Sequence, residues 1–285
     1  GVAPAPGEDA GSRCPEGFAL DAELDACVEL LPPEPCAPGT MALLGETECQ
    51  PVGWTGECPA GMTRDPSGWG CVDAVPTSGC TGATRESVAA GGCAPVGDCA
   101  APFPPPAATL FVDDTGPTDA THFRTISDAI AAAPEGATIA VEEGRYVEIV
   151  EPRKRVSIVG RCPEKVVVAP PQGNIRAGVY VNGAEGVSVR GVTITGFPGG
   201  VLAEGGALTV EDVIVDRNVT VGVYLRFGAK VTMRRSKVSR TTHGGGAVGG
   251  GVVAYDGSQL VLDDVAVVDN YFRNITVNHA STRLE

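Results

Sequence analysis

From Gly178 onward the chain repeats one pattern of apolar and polar positions. Gly178-Val179, Gly200-Val201, Gly222-Val223 and Gly251-Val252 recur at spacings of 22, 22 and 29, and Asn274-Ile275 follows 23 later. A third of a turn on come VSVRGVTIT from Val187, LTVEDVIVD from Leu208, VTMRRSKVS from Val231 and LVLDDVAVV from Leu260. Each runs apolar-x-apolar, then two polar or small residues, then mostly x-x-apolar again. Alternation of period two buries one face of a strand, and the polar pair reads as a bend. Several short strands per turn leave no room for a crossover helix, so like strand must stack on like strand. The pattern predicts a parallel β-helix. The extra residues of the longest turn fall around THGGGAVGG and are expected to bulge out as a loop.

One stretch breaks the alternation. In FRTISDAIAAAPEG, Phe123 to Gly136, the residues Ile126, Ala129, Ile130 and Ala133 share one side of a helix. Thr125 or Ser127 can cap its start, and Pro134-Glu135-Gly136 stops it. A stacked coil has an open end with apolar interior and unpaired backbone, and this helix is expected to lie over that end as a lid.

A different period governs the first part of the chain. Cys14, Cys36, Cys58 and Cys80 are 22 apart, as are Cys27, Cys49, Cys71 and Cys93. The unit is C-x12-C-x8, with glycine three residues after the first cysteine in CPEG, CAPG and CPAG, and CTGA as the fourth copy. Such spacing does not suit a zinc site, which wants close cysteine pairs. The simplest reading closes each unit by its own bridge, Cys14–Cys27, Cys36–Cys49, Cys58–Cys71 and Cys80–Cys93, with pairing across the x8 gap as the alternative. Closing so short a loop contributes about 3 kcal/mol. Cys99 and Cys162 are left over and are expected to bridge, a free Cys162 being the rival reading. The domains follow: a leader at 1–13, the cysteine array at 14–99, the stiff connector APFPPPAA within 100–108, and the β-helix at 109–285.

Composition narrows the setting. Residues 1–104 carry 15 Asp/Glu against 3 Lys/Arg, net −12, and the remainder of the chain is nearly balanced. Nucleic acid and anionic membranes need a basic surface, so neither is an expected partner, and no apolar run is long enough to insert in a membrane. Ten cysteines point to an oxidising compartment, hence a secreted or cell-surface protein whose export signal has been removed. The opening GVAPAPGEDAG and the final LE, which reads as a cloning scar, suggest trimmed ends. RNITVNHASTRLE lacks a terminal cap, so continuation of the coil or self-association over its end is expected.

FRTISDAIAAAPEGATIAVEEGRYVEIV, followed by RVSIVGR and turns of the same period, resembles the entrance of the pectin-lyase-like right-handed β-helix superfamily. The resemblance covers residues 109–278 and implies a right-handed coil; the cysteine array resembles no family. Lyases, hydrolases, esterases and adhesins share the fold, so the resemblance alone assigns no activity. Methylesterase-like signature turns are absent. A polygalacturonase-like site is matched only by Asp263-Asp264 and Arg235-Ser-Lys237, in reversed order, and His243 lacks the glycine such a site places before it.

Stacking the turns puts Arg190, Glu211, Arg234 and Asp263 in one column, and Gly191, Asp212, Arg235 and Asp264 in the next. Neighbours lie ~4.8 Å apart, and alternating charge suits a solvent-facing ladder better than a catalytic pair of carboxylates. The candidate ligand-binding residues are therefore Arg234, Arg235, Arg240 and His243, near the Gly-rich insertion, with an anionic sugar as the class of ligand. His122 and His279 lack partners at ligand spacing. VDDTGPTD, Asp113 to Asp119, fits a plain turn and also a calcium loop, so calcium is the one cofactor left open. Asn218-Val-Thr and Asn274-Ile-Thr match the glycosylation sequon. The chain reads as an interaction protein presenting a β-helix face to a polysaccharide or a surface protein, with a polysaccharide lyase, hydrolase or esterase as the alternative.

Overall fold

The computed structural model describes residues 14–53, 56–59, 61–74, 79–173, 175–243, 250–278 and 283–284. The leader at 1–13, His279 and most of the Gly-rich insertion, 244–249, lie outside them. The chain divides into two compact units, Gly1–Ala74 and Val75–Glu285.

Among its described residues, the first unit holds three small antiparallel hairpins. Phe18–Asp21 pairs with Ala26–Glu29, Thr40–Met41 with Gln50–Pro51, and Met62–Arg64 with Cys71–Asp73. Bridges Cys14–Cys27, Cys36–Cys49 and Cys58–Cys71 close them, with Cα–Cα distances of 5.5, 5.6 and 5.7 Å. The recurrent glycine has a physical reason. Gly17, Gly39 and Gly61 all sit at positive φ, in a region where a side chain is strained. With so little apolar area per hairpin, Leu20, Leu24, Leu44 and Trp69 remain exposed.

The second unit opens with a fourth hairpin of the same kind, Thr84–Ser87 with Gly92–Pro95, closed by Cys80–Cys93. It then winds into the coil. Among the described residues, like strands stack in parallel into sheets of nine, six and five strands. The nine-stranded sheet carries Val187–Arg190, Ala207–Glu211, Lys230–Arg234 and Gln259–Asp263. The six-stranded sheet carries Thr193–Thr195, Ile214–Asp216, Lys237–Ser239 and Ala266–Val268, and the five-stranded sheet runs from Ala177–Asn182 to Arg273–Val277. The register is the one the repeat demands: Val187, Leu208, Val231 and Leu260 are successive partners, and all are buried. The bend between the first two sheets is made by one residue per turn in the left-handed region, Gly191, Asp212, Arg235 and Asp264, at φ of 68°, 51°, 42° and 53°. After the Gly-rich insertion the coil resumes in register, Gly250 pairing with Val221.

The lid helix spans Ile126–Ala132, and Thr125 caps it by accepting a hydrogen bond from Asp128 N–H. A second device holds the same end: Ile126 N–H and Ser127 N–H donate to the Glu148 carboxylate at 2.8 Å each. Ile126, Ala129, Ile130 and Ala133 are buried against the strands of the first coil turn. Cys99–Cys162, with Cα atoms 5.1 Å apart, ties the segment before the proline-rich connector to the coil.

Candidate functional site

The five-stranded sheet turns one row of side chains outward. Its register makes Tyr180, Leu202 and Tyr224 successive partners, with Asn182, Glu204 and Arg226 alongside as the next outward row. Both rows follow from period-two alternation, because Val179, Val201 and Val223 point into the core and are buried. The two tyrosines lie two strand spacings apart, about 9.6 Å along the coil axis.

The polar row is knit together around Glu204. Tyr180 Oη donates to Glu204 Oε2 at 2.6 Å, and Arg226 Nε donates to Oε1 at 2.8 Å, with Nη2 on the same oxygen. Burial would raise the Glu204 carboxyl, but the Tyr180 hydroxyl and the Arg226 guanidinium outweigh it and hold it below the usual range. Its hydrogen bond to Glu204 raises the Tyr180 phenol. The Arg226 guanidinium also lies over the rings of Tyr224 and Phe227, at 5.6 and 4.6 Å, close enough for cation–π attraction. Tyr255 meets Tyr224 edge to face at 5.9 Å.

Phe227 is exposed and sits in the left-handed backbone region. That conformation costs a bulky residue about 1–3 kcal/mol. At the other margin of the sheet, Arg176, Pro198, Leu202, Thr220 and Tyr224 line a shallow cleft of about 170 Å³. Arg176 is exposed there, with no ion-pair partner among the described residues. The site therefore joins flat apolar rings, a fixed carboxylate, a paired guanidinium and an uncommitted one. Such rings can pack an apolar face, and the charged groups beside them can pair with hydroxyl or carboxylate groups.

The residues singled out in the sequence lie elsewhere, and the three arginines each face a carboxylate. Arg234 faces Asp263 at 3.6 Å on the nine-stranded sheet. Arg235, at the following bend, is held by Asp212 at 2.9 Å and by Glu211. Arg240 is clamped by both oxygens of Asp216 at 2.7 Å. His243 stacks on Tyr271 at 5.3 Å. The first column stands in the expected register, Arg190, Glu211, Arg234 and Asp263.

The second column is not simply a solvent-facing ladder. Asp212 is 4% exposed, and Asp264 is engaged by Arg85 and Ser87, because the fourth hairpin packs against that bend. His122 has partners of its own: it stacks on Phe111 at 5.1 Å and meets Asp119 at 3.0 Å. Asp113 and Asp119 accept hydrogen bonds from the N–H groups of Thr115 and Thr121, the usual work of turn aspartates. Among the described residues no three His, Cys, Asp or Glu side chains are grouped to hold a metal. Asn218 is wholly buried, so its sequon is closed to modification in the folded protein, whereas Asn274 is exposed.

A signal for the tyrosine row was present in the sequence. Tyr180 and Tyr224 stand at the same offset, one residue after the Gly-Val pair of their turns.

Residues 166–285 match the family model described as the right-handed beta helix region. No curated protein matches the chain. Among solved structures it is similar to pectin methylesterase PemA from Erwinia chrysanthemi, at 17% identity and a TM-score of 0.45, over 55% of this chain and 55% of that one. It is also similar to the pectin methylesterase from Aspergillus niger, at 15% identity and a TM-score of 0.41, over 62% and 69% of the two chains. The chain thus spans little more than half the length of the bacterial esterase, and neither likeness bears on its chemistry.

Proposed function

From a right-handed β-helix stapled by disulfides, we propose an extracytoplasmic binding protein that presents its five-stranded sheet to a glycan. The observation that carries this is the outward pair Tyr180 and Tyr224, with the largely buried Leu202 between them, beside the Glu204–Arg226 pair. Stacked turns advance about 4.8 Å each, close to the length that one pyranose adds to an extended chain. Two tyrosines two turns apart then meet alternate sugars, and the polar row reaches their hydroxyl groups. Five disulfides support residence in an oxidising compartment.

Calorimetric titration with extended neutral and uronate oligosaccharides tests the reading. Binding is expected for at least one class, weakened on the order of tenfold by Tyr224→Ala, since one aromatic contact is worth about 1 kcal/mol or more. Arg234→Ala should leave it unchanged. No binding across the panel, or equal loss in both variants, would sink the site. Release of new reducing ends above a boiled control, with or without calcium, would replace the binding reading with an enzymatic one.

A further inference from the structure

The outer face of the six-stranded sheet is not left to water. Lys237 is 6% exposed, and its ammonium is satisfied wholly by the fourth cysteine unit. Nζ donates to Cys80 O at 2.7 Å and to Thr84 O at 3.2 Å, and a Glu86 carboxylate oxygen lies 3.2 Å away. That oxygen, Oε2, is buried with no hydrogen bond of its own, so it depends on the lysine charge. Glu86 Oε1 accepts from Cys80 N–H, which aims the carboxylate.

A reverse exchange takes place at the neighbouring bend. Arg85, 3% exposed, donates Nε to Asp264 O at 2.9 Å and pairs through Nη2 with the Asp264 carboxylate. Ser87 Oγ donates to the other Asp264 oxygen at 2.8 Å. Coil cation meets hairpin anion, and hairpin cation meets coil anion, so the hairpin seats in one orientation only. Arg85-Glu86-Ser87 falls five to seven residues after the first cysteine of its unit. The other units carry Ala19-Leu20-Asp21, Met41-Ala42-Leu43 and Thr63-Arg64-Asp65 there. Only the fourth holds the key.

Such a contact is specific without being strong. Buried ions lose several kcal/mol of hydration each, and pairing returns little more than that. The apolar part is small: Ile214 and Ala266 flank Lys237 in its column of the sheet, are buried, and belong to strands beside the hairpin. Covalent tethering therefore decides how long the hairpin stays seated. With Cys99–Cys162 intact, residues 96–98 alone separate the second hairpin strand from its anchor. With the bridge open, the next covalent or strand anchor is the strand that begins at Ala108, and residues 96–107 are held to the coil by packing alone, chiefly Phe103 beneath the Arg161 guanidinium at 4.9 Å. For a flexible chain a fourfold longer tether lowers effective concentration roughly eightfold by the three-halves power of length, and the stiff proline run makes that the upper bound.

We propose that the fourth cysteine unit is a redox-set clasp on the coil, held over Lys237 by Cys99–Cys162 and released when a dithiol reduces that bridge. A thiolate of the dithiol attacks the partly exposed Cys99 Sγ. Cys162, 1% exposed, leaves as thiolate and takes a proton. The second thiol of the reductant resolves the mixed disulfide, leaving two protein thiols and one oxidised dithiol. Release uncovers the Lys237 amine and the strip of Ile214 and Ala266 beneath the hairpin.

Amine acylation of the folded protein, read lysine by lysine by peptide mass spectrometry, tests the clasp, with exposed Lys230 as internal standard. In the oxidised protein Lys237 is expected to react at least ~10-fold more slowly than Lys230. In C99S/C162S, whose other bridges remain, the Lys237 rate should rise severalfold, to about eightfold at most, with Lys230 unchanged. Dithiol treatment of the wild-type chain should give the same pattern at the step where peptide mapping finds Cys99–Cys162 open and Cys80–Cys93, whose Cys93 is exposed, still closed. Hydrogen exchange of Val187–Arg190 and Ala207–Glu211 should stay protected throughout. Equal reactivity of Lys237 and Lys230 at the outset overturns the seat. Persistent protection of Lys237 without the bridge overturns the release, and loss of strand protection makes the bridge a folding staple instead of a clasp.

Discussion

Asn218 offers the sharpest test of how the turns are held together. It is fully buried, and its side chain reaches back one turn: Phe197 N–H donates to Oδ1 at 3.0 Å, and Nδ2 donates to Ile194 O at 3.2 Å. Asn218→Ala leaves the Phe197 N–H unpaired out of reach of water and takes the second donor from the Ile194 carbonyl, which keeps its ladder partner on the next turn. One unpaired buried donor costs about 1–3 kcal/mol, so the net loss should be about 1–3 kcal/mol. Asn270 repeats the motif two turns on, accepting from Thr241 N–H at 3.1 Å and donating to Val238 O at 3.2 Å. It is partly exposed, and water can replace what is lost, so Asn270→Ala should cost about half as much.

Asn218→Asp adds a sign test. Ionised, the new carboxylate faces the Ile194 carbonyl, so its folded pKa must rise. The variant should then be nearest to wild type at low pH, where the neutral acid can donate to that carbonyl, and should lose ground as pH climbs through the raised value. Urea denaturation monitored by circular dichroism, repeated at three pH values, measures all three variants. A cost below about 0.5 kcal/mol for Asn218→Ala, or an Asn218→Asp deficit that shrinks as pH rises, would refute the reasoning.

Other consequences can be checked independently. A Cβ on Gly200 would collide with Val215 Cγ1 and lie 2.5 Å from Gly222 O. Gly200→Ala should therefore destabilise the coil by about 1–3 kcal/mol in the same denaturation assay. Glu148→Ala frees Ile126 N–H and Ser127 N–H, and amide exchange across Ile126–Ala132 should accelerate by about fivefold, the loss of about 1 kcal/mol of capping. Burial, followed by the nearby Asp114 and Asp113 charges, pushes the Tyr146 phenol up, and Tyr180 is also raised. Their contribution is therefore complete below the ordinary tyrosine value of about 10 and fades as pH rises through the folded values, so phenolate absorbance should show two late tyrosines that become normal on unfolding. Glu204 is depressed, so its contribution holds above the unfolded carboxylate value and is lost as pH falls through the folded one; Tyr180→Phe should narrow that acid loss.

Much of the architecture could be read from the chain. The repeat period determined which residues stack, since a coil with no crossover helix must return each strand to the same height on the next turn. Period-two alternation determined which face is buried, and the apolar side of Phe123–Gly136 determined where the lid lies. The tertiary structure alone decided what the outward residues do, because alternation says that a side chain faces out and not what it then meets. Arg234, Arg235 and Arg240 look available in sequence, yet each finds its carboxylate a strand or a bend away. Tyr180 and Glu204, far apart in the chain, become one hydrogen-bonded pair only when two turns stack. Arg85 and Asp264, further apart still, meet because a folded hairpin presents one to a folded bend. Local pattern carries the backbone path, since the hydrophobic effect reads only burial; charge pairing reads distance, and distance exists only once the coil has closed.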